Sequence, residues 1–397
     1  MILTVPGIPS TLKRRLRKVR RLAEKTPAGH FLSTVRARSS GKALRHILIV
    51  SDGSAYTSEQ QFAPLIRHAS LIAAKTGVVF TFMTQAKART LPTASFAGWH
   101  AVGLKLTFKT PAAEAAAIAR RILGAARAAG ARTVLFDGDD DPAILWPEVL
   151  DLADTCIKKH IFADTRTYAE TFVGKSNLTD HSSKTYGTSF SDDPIPRSGG
   201  LVPDQIRKIV LGWNIAQDDK IADLATDIPV QATQGVRDID ILCRASVPPG
   251  TWTYGMRNAA VQAIMTMSGS HRIHAPTDRV PQAEYYSEML RARLSVSPFG
   301  YGELCWRDFE SILCGSLLVK PDMSHLKTWP DLFVPFETYL SVRWDYSNLK
   351  DVCAPSLADE SARLKMASNA RSRLLDALDS KTFVERFATT MKHANLL

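Results

Sequence analysis

Apolar residues in this chain gather in short runs separated by longer amphipathic stretches. His46 to Val50 (HILIV), Val78 to Met83 (VVFTFM), Leu104 to Phe108 and Thr133 to Phe136 (TVLF) read as strands of the buried type. Between them, Ser58 to about Lys75 and Pro111 to Ala129 have helical spacing, the second with alanine, isoleucine and leucine on one side and Arg120, Arg121 and Arg127 on the other. A second series follows: strands at Lys208 to Trp213 and Ile239 to Cys243, a helix from Tyr254 to about Met267, and strands at Leu294 to Val296, Ser316 to Lys320 and Tyr339 to Trp344. A helical stretch, Ser356 to Phe387, ends the pattern. Alternation of this kind predicts an α/β protein with parallel sheets covered by helices, whose ligands sit at the carboxyl ends of the strands. Residues 187 to 204 are rich in Gly, Ser, Asp and Pro and read as a linker. With 397 residues, two domains are expected. The units are a basic arm (1 to 45), a first α/β domain (46 to 190), a second (204 to 355) and C-terminal helices (356 to 397).

The densest chemistry lies in Leu294 to Val342. An apolar strand runs into Ser-Pro-Phe-Gly-Tyr-Gly, then an amphipathic stretch with Glu303, Arg307 and Glu310, a Gly315 stop, and the strand ending at Lys320. Read as a helix, residues 303, 307 and 310 are spaced i, i+4 and i+7, which points two carboxylates and a guanidinium to one side. Gly300 and Gly302 permit close backbone approach to a ligand, and the helix N-terminus offers N–H groups to phosphate. Arg244, directly after the strand IDILC, and Arg257, on the next helix, can reach the same edge; salt bridges to Asp238, Asp240 or their neighbours are the alternative.

Charge separates the arm from the body. Residues 1 to 46 hold twelve Lys or Arg against one acid, Glu24, so the arm accounts for the whole net charge of +11. Leu12, Leu16, Val19 and Ala23 make an apolar stripe among these cations, which suits an anionic membrane surface; a solvated tail or an acidic partner is the alternative. No apolar run approaches the roughly 18 to 20 residues that span a bilayer, and the opening residues are too short for a secretory signal core. Five scattered cysteines without a Cys-x-x-Cys pair suit a reducing cytoplasm and give no zinc pattern.

The Gly300, Gly302, Arg307, Glu310 and Gly315 pattern, with the small-residue strand after it, resembles the donor-binding half of GT-B glycosyltransferases, exostosin-like and related sugar transferases in particular. The resemblance covers about fifty residues. It implies two Rossmann-like domains facing a cleft, a nucleotide-sugar donor, a glycan or glycolipid acceptor, and no cofactor or dedicated metal. It implies a donor set of Gly300, Gly302, Glu303, Arg307, Glu310, Arg244, Arg257 and Lys320, with Glu310 on the ribose. Six residues separate Glu303 from Glu310 where the retaining pattern has seven, which leaves the stereochemical outcome open. Asp137-Gly-Asp139-Asp140-Asp141 looks like a metal site, but its distance from the donor pattern favours an acceptor-side role, with Asp139 as the base and Asp52 as its rival. Lys158-Lys159-His160 reads as solvated surface or as a contact to an anionic acceptor, and Lys320-Pro-Asp322-Met-Ser-His325 as a segment near the donor sugar or a loop packed by Met323 and Trp329. The implied setting is bacterial surface-polysaccharide or lipopolysaccharide assembly at the inner face of the cytoplasmic membrane, with no nucleic-acid partner. A non-catalytic basic binding protein and a different sugar-nucleotide enzyme are the alternatives; the latter lacks a Gly-x-Gly-x-x-Gly after its first strand.

Overall fold

A computed structural model describes residues 26–52, 60–189 and 200–397, together with 15, 19 and 23. The stripe residues Leu12 and Leu16 lie outside the described residues, as does 190–199 of the expected linker.

The first seven strands are β1 (Arg45–Ser51), β2 (Val78–Thr84), β3 (Ala101–Leu104), β4 (Arg132–Asp137), β5 (Thr155–Lys158), β6 (His160–Phe162) and β7 (Ile209–Leu211). All but β6 form one sheet in the order β2-β1-β3-β4-β5-β7, and every pairing is parallel. Successive side chains of β1 enter two different cores. Ile47 and Ile49 pack with Leu65, Ile72, Phe383 and Phe387, whereas Leu48 and Val50 pack with Ala115, Ile118 and Ile122. Burial on both faces is why the strand is apolar throughout instead of alternating.

The remaining strands are β8 (Ile239–Leu242), β9 (Ile273–His274), β10 (Ala292–Val296), β11 (Leu317–Pro321), β12 (Leu326–Thr328) and β13 (Leu340–Val342). Five of them form a second parallel sheet, β13-β11-β10-β8-β9. One face, with Ile241, Leu294, Val296 and Val319, is covered by Ala260 and Ile264 of the Tyr254–Met265 helix and by Leu349 and Cys353 of the Leu349–Ala358 helix. The remaining strand, β12, pairs antiparallel with β6 and so stitches the second unit to the first.

Several expectations need correction. The strand expected at Lys208 to Trp213 exists as β7, but it completes the first sheet instead of opening the second. Apolar character alone does not say which sheet offers a free edge. The strand expected at Leu104 to Phe108 is shifted to Ala101–Leu104, with Lys105 just beyond its end. The single closing helix is three: Leu349–Ala358, Glu360–Leu378 and Ser380–His393, the last two each entered through a side-chain cap from Asp359 and Asp379. The final helix buries Phe383, Val384, Phe387 and Met391 with Ile47, Ile49 and Val134 of the first sheet, so the end of the chain packs on the first unit.

Candidate active site

The carboxyl ends of the two sheets meet. Gly302, in the turn after β10, lies so close to the loop after β4 that an added Cβ would run into the Asp140 carbonyl. Glycine is required there by the other half of the molecule, which is a different reason from the ligand approach inferred from sequence. Gly300 is roomier, with the Arg257 Nη2 as the nearest group to an added Cβ at 3.5 Å.

The helix after this turn is Trp306–Leu313, so Glu303 precedes it and does not share its face with Arg307 and Glu310. The three side chains diverge. Glu303 is fully buried at the seam, where it accepts a hydrogen bond from Asn177 Nδ2 at 2.8 Å. Its carboxylate also lies 3.2 Å from His325 Nε2 and 3.9 Å from His160 Nε2. Burial, reinforced by the Lys159 and Lys158 charges, holds the His160 imidazole well below its usual pKa and therefore neutral at pH 7. Glu310 points the other way and is nearly saturated by Tyr286 Oη at 3.1 Å, Tyr285 Oη at 3.0 Å and Lys220 Nζ at 2.7 Å. Arg307 donates to the Arg244 carbonyl at 2.7 Å and to Ser297 Oγ at 3.1 Å.

Asp308, which sequence reasoning passed over, is the hub of this turn. It accepts from Ser297 Oγ (2.5 Å), the Cys305 N–H (3.0 Å) and Lys320 Nζ (3.0 Å), all buried or nearly so. The helix N-terminus expected to receive phosphate thus has a carboxylate of its own at that point. Lys320 is committed to that carboxylate and lies over the Phe299 ring at 5.1 Å.

Of the basic donor candidates, Arg244 is held by Glu288, with bonds of 2.6 Å from Nε and Nη2, and by Asp278 at 3.1 Å. The partners are therefore Glu288 and Asp278; Asp238 pairs with Arg291, and Asp240 with Arg272 and Arg293. Arg257 differs. It donates only to the Phe299 and Ser246 carbonyls, at 3.2 and 2.9 Å. Burial first, and then the charge of Arg307, lower its pKa. Among the described residues, neither Arg257 nor Arg307 makes an ion pair with a carboxylate. Two adjacent guanidiniums therefore stand beside the Gly300 turn without a direct carboxylate partner. Arg257 is left the weaker cation of the two, because at Arg307 the lowering by burial is outweighed by the Cys305, Tyr285, Cys243 and Asp308 groups around it, which raise its pKa.

On the facing edge, each aspartate of the Asp137-Gly-Asp-Asp-Asp cluster has its own lysine. The pairs are Asp137 with Lys158 (2.8 Å), Asp139 with Lys105 (3.0 Å), Asp140 with Lys159 (2.7 Å) and Asp141 with Lys175 (2.8 Å). Lys158, Lys159 and His160 are buried, so the solvated-surface reading of that run is corrected. The four lysines come from other segments, each at least 19 residues from its aspartate, which is why charge counting could not pair them. No group of three or more metal-type ligands forms among the described residues. Asp139 is 5% exposed, its Oδ2 has no hydrogen-bond partner, and burial raises its pKa despite Lys105. Asp52, at the end of β1, is half-buried and within electrostatic reach of the same lysine.

Sequence reasoning missed Asn177, Lys105, Lys175 and Asp308. None carried a positional signal, since Lys105 fell inside the strand expected at Leu104 to Phe108 and stands just beyond a strand end only in the structure.

No family model and no curated protein matches this chain. Solved structures similar to it include HepE from Anabaena in complex with UDP (10% identity over 88% of this chain and 100% of that one, TM-score 0.46). A glycosyltransferase from Rickettsia africae ESF-5 gives 10% identity, 88% and 98% coverage and a TM-score of 0.46. A UDP-forming alpha,alpha-trehalose-phosphate synthase from Burkholderia vietnamiensis gives 9%, 88%, 100% and 0.45. Likeness at this level assigns no residue and no chemistry. The sheets themselves define the architecture: two Rossmann-like units joined at the carboxyl edges of their parallel sheets, in the GT-B manner.

Proposed function

We propose that the chain is a glycosyltransferase that moves a sugar from a nucleotide-sugar donor to a glycan or lipid-linked glycan acceptor. The observation that carries this reading is the Arg257 and Arg307 pair beside the Gly300 turn, at the carboxyl edge of the second sheet. A half-buried guanidinium with no direct carboxylate partner favours an anionic ligand, and a diphosphate presents oxygens that two guanidinium forks can share. The same pair would stabilise the charge that develops on the leaving nucleotide.

In this reading Arg244 positions Arg307 through its carbonyl, and Glu310 holds the Trp306–Leu313 helix to the helices that carry Tyr285, Tyr286 and Lys220. Glu303, with His160 and His325, adjoins the transferred sugar. Asp139 is the acceptor-side base, because a raised pKa and an unbonded Oδ2 are properties that a proton acceptor needs. Asp52 is the rival. Surface-polysaccharide or lipopolysaccharide assembly is the proposed setting, on the strength of the sequence resemblance.

A thermal-shift screen of the full chain against nucleoside diphosphates and nucleotide sugars tests the reading. One nucleotide is expected to stabilise the protein, by about 2.7 kcal/mol at a hundred times its dissociation constant, and Arg257→Ala is expected to cut the effect to about 0.3–1.4 kcal/mol at the same concentration. Absence of any shift at saturating nucleotide would overturn the donor-site assignment. Asp139→Asn and Asp52→Asn, assayed for transfer with donor binding intact, decide between the two bases.

A further inference from the structure

The Pro27–Ser39 helix lies against the first unit through its small residues. Gly29, Ser33 and Ala37 are buried, and Ala37 packs with Ala73 and Val79. Its outer face is apolar: Phe31 is 64% exposed, Leu32 58% and Val35 45%. Among the described residues, thirteen large hydrophobic side chains are exposed, and these three with Val19 are four of them. Such a concentration in so short a stretch is unlike the scattered exposure of an ordinary surface.

The charges are arranged around this stripe. At 3.6 residues per turn, Val35 and Leu32 fall roughly 40° and 100° around the helix from Phe31, while Arg38 and Arg36 fall about 20° before and 140° after it. Both arginines are exposed, and they border the apolar stripe on its two sides. Lys42 and Arg45 follow, and no Asp or Glu occurs between residues 25 and 51. No helix of the described residues is long and apolar enough to cross a membrane.

We propose that this face docks on an anionic lipid bilayer, with Phe31, Leu32 and Val35 entering the boundary between headgroups and acyl chains. Arg36, Arg38 and Lys42 meet the lipid phosphates, their stems lying along the apolar stripe. The occupant is chosen by charge: a wholly cationic rim repels an identical rim, so a second copy of the chain is disfavoured, whereas an anionic surface matches it. The proposal places the lipid contact on a helix packed to the body, in addition to any contact by the cationic segment before it. It does not depend on the glycosyltransferase reading.

The test is co-sedimentation of the full chain with phosphatidylcholine vesicles, with and without phosphatidylglycerol, at low and high salt. Wild type is expected to bind only the anionic vesicles, and more weakly at high salt. The triple variant Phe31→Ser, Leu32→Ser, Val35→Ser keeps every charge and is expected to lose about tenfold in partitioning, since three apolar side chains no longer insert. Arg36→Glu with Arg38→Glu is expected to abolish the preference for anionic lipid. All these side chains are exposed, and an unchanged melting temperature and circular-dichroism spectrum confirm that each variant is folded. If the triple-serine variant binds like wild type, the preceding cationic segment binds alone and the proposal is wrong. It is also wrong if wild type ignores anionic vesicles, or if it forms a dimer that the triple-serine change dissolves.

Discussion

Replacement of Arg257 by alanine puts the donor-site assignment under most strain. Its guanidinium is bonded only to the Phe299 and Ser246 carbonyls. A hydrogen bond from a charged donor to a ligand is worth about 1.5–3 kcal/mol. At 1.4 kcal/mol per factor of ten, losing it weakens a nucleoside diphosphate by about 10- to 150-fold. The unliganded protein changes less. Two carbonyl bonds are lost, at about 0.5–1.5 kcal/mol each or somewhat more for a charged donor, but the repulsion from Arg307 that lowers the Arg257 pKa is relieved at the same time. Affinity should therefore fall steeply while the melting temperature moves little. Arg257→Lys should fall between, because it keeps the charge and loses the planar fork. Isothermal titration with the nucleotide found in the thermal-shift screen reads the affinities, with Arg166→Ala, on the exposed Asp164 pair, as the neutral control. If Arg257→Ala binds within twofold of wild type, the paired guanidiniums are structural and the phosphate lies elsewhere.

Three further outcomes check the geometry. Gly302→Ala must displace the Asp140 backbone and should cost on the order of 1–3 kcal/mol in urea unfolding, whereas Gly300→Ala, with only a flexible arginine tip nearby, should cost under about 0.5 kcal/mol; equal effects would mean that the sheets do not meet as described. Asp308→Ala leaves Lys320 buried without its counter-ion and should destabilise by about 3–5 kcal/mol; Asp308→Ala with Lys320→Met should recover much of that, and failure to do so would show that the Ser297 and Cys305 bonds dominate. Burial pushes the Glu288 carboxyl up, but Arg244 and His274 outweigh it and hold the pKa below the ordinary value. A depressed folded pKa gives stability that is complete above the unfolded value of about 4.3 and is lost as pH falls through the folded one. Glu288→Gln should therefore melt below wild type at neutral pH, and the two melting curves should converge only as pH falls through the depressed folded pKa; a gap that persists in stronger acid would assign the effect to shape and not to charge.

The sequence alone determined the local elements and the class of fold. Runs such as ILIV and VLF are apolar at every position, as a strand buried on both faces requires, and their alternation with helical spacing gives parallel sheets. The Gly300 to Glu310 segment was also legible as a concentration of glycines and charges at a strand end, because both are marked in local sequence. Partnership was not legible. Glu303 and Glu310 sit seven residues apart, yet one is drawn to Asn177 and His325 and the other to Tyr285, Tyr286 and Lys220, because the helix starts after the first of them. Arg244 and Arg257 look alike in sequence, but Glu288 neutralises one and no described carboxylate pairs with the other. Gly302 looks like Gly300 until the Asp140 loop closes against it. Spacing along a chain fixes what a residue's neighbours in its own element are; its charge partner and its access to a ligand come from other segments, tens of residues to more than a hundred residues away, and only tertiary packing brings those into reach.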